Sequence, residues 1–289
     1  IMFNNKPVMV QNLADFDFSQ TQIGLFSAGG SVSEEFAPKA AAAGCVVIDN
    51  TSHFRYDDDI PLVVPEVNPE AIAGYTTRNI IANPNCSTIQ MLVALKPIYD
   101  AVGIKRISVA TYQAVSGSGA QGIVELETQV KDLARGRKIS KSVYPHQIAF
   151  NALPHVDAFL DNGYTKEEMK LENEGRKIMH HPRFHASTTC VRVPVYRAHS
   201  IAVNAEFTKP ITETSARRVL KRAPGLDLLD EVSKNIYPLA LECAEKDHCA
   251  VGRIRKDCAM KNGLSFWVVG DQILKGAALN AVQIAEKLI

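Results

Sequence analysis

Short apolar runs alternate with amphipathic ones through the first third of the chain, and the alternation predicts strand, helix, strand. Gln22-Ile23-Gly24-Leu25-Phe26-Ser27-Ala28-Gly29-Gly30 reads as an apolar strand running into a glycine turn, with Ser33 and the two glutamates after it opening a helix. The Ala-rich run to Ala43 continues that helix and Gly44 stops it; Cys45-Val46-Val47-Ile48-Asp49 is then a β-branched strand of the kind buried in a parallel sheet. Further strands are predicted at Leu62-Val63-Val64 and Asn79-Ile80-Ile81-Ala82, separated by a short helix near Pro69 to Ala73. Strands alternating with helices imply a doubly wound α/β sheet.

From Cys86 onward the pattern changes. Ile89, Leu92, Val93, Leu95 and Ile98 recur at helical spacing, with Asn85 or Ser87 available as N-cap. Arg106–Tyr112, Val191–Val195 and His199–Phe207 alternate as half-buried strands do, which predicts a second, mixed or antiparallel sheet. Between them the periodicity predicts helices from about Gly122 to Arg135 and from about Lys166 to Met179, the second opened by Thr165 with Glu168 three residues on. Gln272 to Leu288 predicts a closing helix in which Gly276, Ala277 and Ala278 permit close backbone approach. A second domain therefore begins near Cys86.

A length of 289 residues suits two domains, and 46% hydrophobic against 22% charged residues excludes a disordered chain. The 32 basic and 31 acidic residues give no overall field for nucleic acid or an anionic membrane, so any anion site is local. No apolar run approaches the ~20 residues that span a bilayer, and the start lacks the layout of a signal peptide. A cytoplasmic protein is the expectation. The six cysteines show no C-x-x-C and no framework spacing. Cys243, His248, Cys249 and Cys258 fit no common zinc spacing, so no metal is expected.

The chemistry centres on Asn83-Pro84-Asn85-Cys86-Ser87-Thr88. A thiol at a helix N-terminus meets unpaired N–H groups and the positive end of the dipole, which favour thiolate and prime it to attack a carbonyl. The plainer reading is a small apolar residue at a domain edge. Ser116-Gly117-Ser118-Gly119 is a loop whose glycines let backbone approach a ligand, or simply a turn. Arg192 can fork onto a carboxylate and His199 can titrate near neutrality; alternatively they are a surface charge and a satisfied polar residue. Glu174 and Lys177, three apart on one helix face, read as an exposed ion pair or as site residues, and Arg55 as solvated or as an anion holder.

Together these segments resemble the aspartate-semialdehyde dehydrogenase family from Ile23 to Ile289. The resemblance rests on Leu25–Ser33, Val47–Ser52, Pro61–Asn68, Asn83-Pro84-Asn85-Cys86-Ser87-Thr88-Ile89-Gln90, Cys190–Pro194, Ala198-His199-Ser200 and Val251–Asp257, in the right order. It implies a partial Rossmann-type NADP-binding domain (residues 1–85 and 270–289). It also implies an α+β catalytic and dimerisation domain (86–269) with a mixed, glyceraldehyde-phosphate-dehydrogenase-like sheet. The implied reaction is the reversible, NADP-dependent reductive dephosphorylation of 4-phospho-L-aspartate to L-aspartate 4-semialdehyde, on the branch to lysine, methionine and threonine. By the same likeness Cys86 is the nucleophile, His199 the general acid and base, and Gln113 orients the intermediate. Arg192 grips the substrate carboxylate, Glu174 meets its amino group, Asn85 joins the substrate site, and Arg55 and Lys177 bind phosphate. Cofactor contacts are expected from Ser27, Ala28, Gly29, Gly30, Asn50, Thr51, Ser116, Gly117, Gly119 and Asn280, and a homodimer or homotetramer as the assembly.

The family's G-x-T-G-x-V-G-type turn is not found before Ile23, so a chain truncated at its N-terminus, with weakened NADP affinity and an exposed edge strand, is expected. Two other readings stay open. One is a related acyl-phosphate reductase of the N-acetyl-glutamyl-phosphate or glyceraldehyde-phosphate type, against which Arg192 and Glu174 argue. The other is a non-catalytic fragment serving as a dimerisation module.

Overall fold

The computed structural model describes residues 1–289. A two-residue ladder, β1 (Met2–Phe3) with β2 (Lys6–Pro7), precedes a three-stranded parallel sheet of β3 (Ile23–Phe26), β4 (Val46–Asp49) and β5 (Ile80–Ala82), in that order. Leu25 pairs with Ile48 and Ile48 with Ile81, so one residue set faces α1 (Gly30–Ala42) and the other faces the C-terminal helix. The first helix begins three residues earlier than its polar residues suggest. Gly29, at φ 107°, makes the turn, while Ser33 lies inside the helix, buried, and donates to Asp49 Oδ1 at 2.7 Å.

The strand expected at Leu62–Val64 is reduced to a single parallel bridge between Leu62 and Ala82. The rungs on either side would need N–H groups from Pro61, Pro65 and Pro84, which have none, and the Val63 carbonyl accepts from Asn280 Nδ2 at 3.0 Å instead. Asn68 ties the edge facing away from β5, accepting from the Val64 N–H at 2.9 Å and donating to the Leu62 carbonyl at 2.9 Å.

The second sheet has six strands. They are β6 (Ile104–Gln113), β7 (Ala186–Arg192), β8 (His199–Phe207), β9 (Leu226–Leu228), β10 (Cys249–Lys256) and β11 (Gly263–Gly270). Their order is β7-β6-β8-β11-β10-β9; the two outer pairs are parallel and the three inner pairs antiparallel, so the sheet is mixed, as expected. The strand read at Val191–Val195 actually ends at Arg192, since Pro194 has no N–H to offer a ladder.

Between the sheets runs α2 (Cys86–Val102), buried continuously from Ser87 to Leu95. Its apolar side chains share one core with Val47 and Ile80 of the parallel sheet and with Val109, Val203 and Phe266 of the mixed one. Each such buried residue contributes roughly 1.5–3 kcal/mol, so the two sheets are fixed to each other through this helix. Asn85 is its cap, accepting from the N–H groups of Ser87 at 3.0 Å and Thr88 at 3.2 Å. Helices α3 (Ala120–Ala134) and α4 (Lys166–Ile178) occupy the predicted places, α4 with the Thr165/Glu168 capping box formed in both directions. Two short helices follow, α5 (Glu213–Leu220) and α6 (Ala240–Cys243).

The closing helix is not continuous from Gln272. Residues Leu274–Ala278 make a wide π-type turn before α7 (Leu279–Glu286) begins. Gly276 explains the wide turn: a Cβ there would lie 2.8 Å from Cys86 Cβ, so the backbone is pressed onto the start of α2. No helix is long and apolar enough to cross a membrane.

Candidate active site

Cys86 is the first residue of α2 and lies partly exposed in a cleft of about 660 Å³ at the C-terminal ends of the parallel strands. Ser27, Asn50, Arg55, Ser116 and Gly276 share its walls. Ligands of open parallel sheets bind at such strand ends.

Behind one wall stand His199 and Arg192, both buried. A Cβ on Gly117 would fall 2.7 Å from Arg192 Nη1 and 3.1 Å from His199 Cε1, so the Val115–Ser118 turn passes directly over both side chains. Only glycine leaves room there. Arg192 pairs in register with Gln113 across β6 and β7, and its Nη1 donates to the Ala114 carbonyl at 2.7 Å. His199 Nδ1 accepts from the Ala114 N–H at 3.0 Å. With Nδ1 an acceptor, the neutral ring carries its proton on Nε2, a buried atom with no hydrogen-bond partner. Burial, and then the Arg192 charge, hold His199 well below the usual imidazole range, so it is neutral.

Arg55 and Asn85 line the cleft, and α4 stands behind them. Glu174, wholly buried, accepts from Arg55 Nη1 at 3.0 Å and from the Asn85 N–H at 2.7 Å. The reading of Glu174 and Lys177 as an exposed ion pair is thereby overturned. Glu167, also buried, accepts from Asn85 Nδ2 at 2.9 Å, Gln113 Nε2 at 3.1 Å and Lys170 at 3.0 Å. Its role was missed in the sequence; the only trace was a second glutamate in a first turn whose capping box needs just one. Gln272, likewise missed, ties Ser116 Oγ to the Ala198 N–H, joining the turn over His199 to the C-terminal segment.

The helix end is not the only influence on the Cys86 thiol. Burial, with the facing Glu167 carboxylate second, pushes the Cys86 thiol up to about 11 against the pull of Arg192, Arg55 and the Ser87 N–H. The helix-end donor acts in the expected direction but is the smallest of these effects.

Of the expected cofactor residues, Ser27, Asn50, Ser116, Gly117 and Gly119 line the cleft. Ala28, Gly29 and Gly30 continue from Ser27, and a Cβ on either glycine would meet nothing within 4 Å, leaving open space at the α1 N-terminus. Thr51 is turned to Asp49, which its hydroxyl meets at 2.7 Å. Asn280 lies outside the cleft, fully buried, with its amide committed to the Val63 carbonyl, Asn83 and Lys275. Lys177 also lies outside it, donating to the Arg55 carbonyl at 3.1 Å and lining a neighbouring cleft with Tyr56 and His180.

Comparison with known proteins decides the lineage. Residues 95–275 match the family model for the semialdehyde dehydrogenase dimerisation domain, and residues 2–75 that for the semialdehyde dehydrogenase NAD binding domain. The whole chain is 58% identical to aspartate-semialdehyde dehydrogenase of Shewanella sp. (strain DB6705), covering 85% of that protein. This chain belongs to the aspartate-semialdehyde dehydrogenase family. It is 56% identical over 99% of its length to aspartate-semialdehyde dehydrogenase 2 of Vibrio cholerae, again covering 85% of it. The crystal structure of Vibrio cholerae aspartate semialdehyde dehydrogenase II complexed with ASA superposes with a TM-score of 0.97 at 55% identity, over all of this chain and 85% of that one. Aspartate-semialdehyde dehydrogenase membership bears out the expected fold class and a nicotinamide-dependent enzyme, over the acyl-phosphate reductase and non-catalytic readings. A dimerisation domain is present.

Proposed function

We propose that this chain interconverts 4-phospho-L-aspartate and L-aspartate 4-semialdehyde through a thioester on Cys86, with NADP as cofactor. The observation that carries the reading is a buried, neutral His199 whose Nε2–H is unpartnered, set behind Gly117 of the cleft that holds Cys86. The open glycine turn at Gly29 and Gly30, the α1 N-terminus and the polar wall of Ser27 and Asn50 suit a dinucleotide, with Ser116 to Gly119 on the far side. NADPH, when bound, supplies the hydride that reduces the thioester.

The chain's own residues do the rest. Cys86 Sγ attacks the acyl carbon as its proton passes to a phosphoryl oxygen of the substrate; a C–S bond forms, and phosphate leaves with that proton and the electron pair of the broken C–O bond. His199 Nε2–H donates to the oxyanion of this tetrahedral species and of the later thiohemiacetal, whose collapse expels the thiolate and frees the aldehyde. In the reverse direction the same nitrogen holds the same oxygen. Arg192 forks onto the substrate α-carboxylate with the guanidinium nitrogens not spent on Ala114, and Glu174 meets the amino group. Arg55 holds phosphate, and Lys177 supports it by bonding its carbonyl. Gln113 and Asn85 are braced by Glu167, which fixes the turn carrying Cys86.

The assembly we propose is a homodimer through the exposed face of the mixed sheet. There Tyr112 and Trp267 lie 5.4 Å apart beside a groove lined by Tyr237, Pro238 and Leu239. Six unpaired cysteines suit the cytoplasm. The test of the reaction is phosphate-dependent NADP reduction with aspartate semialdehyde. It is abolished in Cys86→Ala and falls about a hundredfold in His199→Ala; undiminished turnover in Cys86→Ala overturns the reading.

A further inference from the structure

Gln90 is a side chain of α2 whose chemistry nothing above uses. It is wholly buried, and both atoms of its amide, Nε2 and Oε1, lack any hydrogen-bond partner. Methionine or leucine would fill the same space without stranding a polar group, so an orphaned amide calls for a reason.

Its surroundings give one. Gln90 follows Cys86 by four residues, so the two lie on one helix face, and helical side chains lean back toward the N-terminus. The Cβ position of Gly276 is 2.8 Å from Cys86 Cβ and 3.2 Å from Gln90 Nε2. The cysteine and the amide nitrogen thus border one point. Gly270 holds the stem of Gln90 from the other side, its Cβ position 3.0 Å from Gln90 Cγ and Cδ and 2.8 Å from Cys249 Sγ. Two glycines therefore shape a slot around this amide, and the π-type turn that carries Gly276 closes it.

We propose that Gln90 is a further catalytic residue, whose Nε2–H, unpartnered while Cys86 is a thiol, donates to Cys86 Sγ when the sulfur is charged. The inference rests on Cys86 being the nucleophile. A thiol gains little from an amide donor, whereas a thiolate gains a charge-assisted bond, so the interaction appears before attack and again as the thiolate leaves the thiohemiacetal. The other groups facing the sulfur are Glu167 from α4, which opposes its charge, Arg192 and Arg55, which favour it, and the Cys190 thiol of β7. Gln90 acts from beneath, on the side where Cys249 and Lys275 are the neighbouring titratable groups.

The experiment is the pH dependence of Cys86 alkylation by iodoacetamide, with thiolate absorbance near 240 nm, in the full chain and in Gln90→Met. Replacement is expected to raise the midpoint by about one unit, a tenfold smaller thiolate fraction at neutral pH. It is expected to lower kcat about tenfold with KM within twofold. An unchanged midpoint overturns the proposal. In the wild-type chain, where folding is not in question, the side-chain amide resonance of ¹⁵N-labelled Gln90 should shift with the same midpoint and stay fixed in Cys86→Ser. A resonance indifferent to Cys86 ionisation also overturns it. Should Cys86→Ala itself retain turnover, the mechanism fails instead, and that result is distinct from either outcome at Gln90.

Discussion

Gly117→Ala isolates the geometry of the site from its chemistry. Gly117 is not among the positive-φ glycines, so alanine meets no backbone strain, and the whole perturbation is one methyl group. That methyl would sit 2.7 Å from Arg192 Nη1 and 3.1 Å from His199 Cε1, where ordinary contact begins at 3.4 Å. The guanidinium must retreat by roughly 0.7 Å. It is anchored at 2.7 Å on the Ala114 carbonyl, and His199 hangs on the N–H of the same residue, so neither moves alone. Losing a charge-assisted bond costs about 1.5–3 kcal/mol, and sub-ångström misplacement of binding and oxyanion groups costs on the order of ten- to a hundredfold in rate. Steady-state assay with aspartate semialdehyde, phosphate and NADP should show kcat/KM down by about that factor. KM should rise through Arg192 and kcat fall through His199. Circular dichroism and gel filtration should match the wild type. A folded Gly117→Ala enzyme within twofold of wild-type kcat/KM refutes the claim that this turn packs the two residues into place.

Lys275→Met removes a fully buried cation that donates to Glu66, Asn280 and Gln283. Stranding the Glu66 carboxylate should cost about 3–5 kcal/mol, read as a clear fall in melting temperature, and an unaltered melt refutes it. Asp257 is lowered to about 2: burial opposes its charge, but bonds from Asn204, Ser265 and the N–H groups of Ala259 and Met260 outweigh it. A depressed folded pKa means stability present above the ordinary 3.8 and lost as pH falls toward 2, so Asp257→Asn should flatten that part of the urea-midpoint profile. Glu167→Gln removes the negative charge facing Cys86, so the alkylation midpoint of the thiol should drop from about 11, while a rise contradicts the sign.

Much of this was legible in the sequence where local rules suffice. The β-branched run at Val46–Asp49 and the capping box at Thr165 are satisfied by residues within a few positions and formed as read, and of the two caps open for α2, Asn85 or Ser87, it is Asn85 that forms. Helical spacing put Glu174 and Lys177 on one face, and both do reach the Arg55 segment. Spacing cannot say that one would be buried against Arg55 and Asn85 and the other turned toward a different cleft. Glu167 escaped notice because its importance lies in Asn85 and Gln113, which only the packing of α4 against α2 brings near. The π-type turn was invisible for a similar reason. Its apolar pattern is helical, and the extra residue is forced by the contact of Gly276 with Cys86.

The resting pair is best understood as neutral on both sides. Burial penalises a thiolate at Cys86 and an imidazolium at His199 alike, and Ala114 adds a geometric lock, since an Nδ1 that accepts a backbone N–H cannot take a proton without losing that bond. For His199 the neutral state costs the reaction little. Each tetrahedral step needs a donor to an oxyanion, and that is the form in which His199 Nε2–H already waits. What the site must still provide is a place for the charge on sulfur at the moment of attack. The guanidiniums of Arg192 and Arg55 and the unspent amide beneath Cys86 are the groups on hand to provide it.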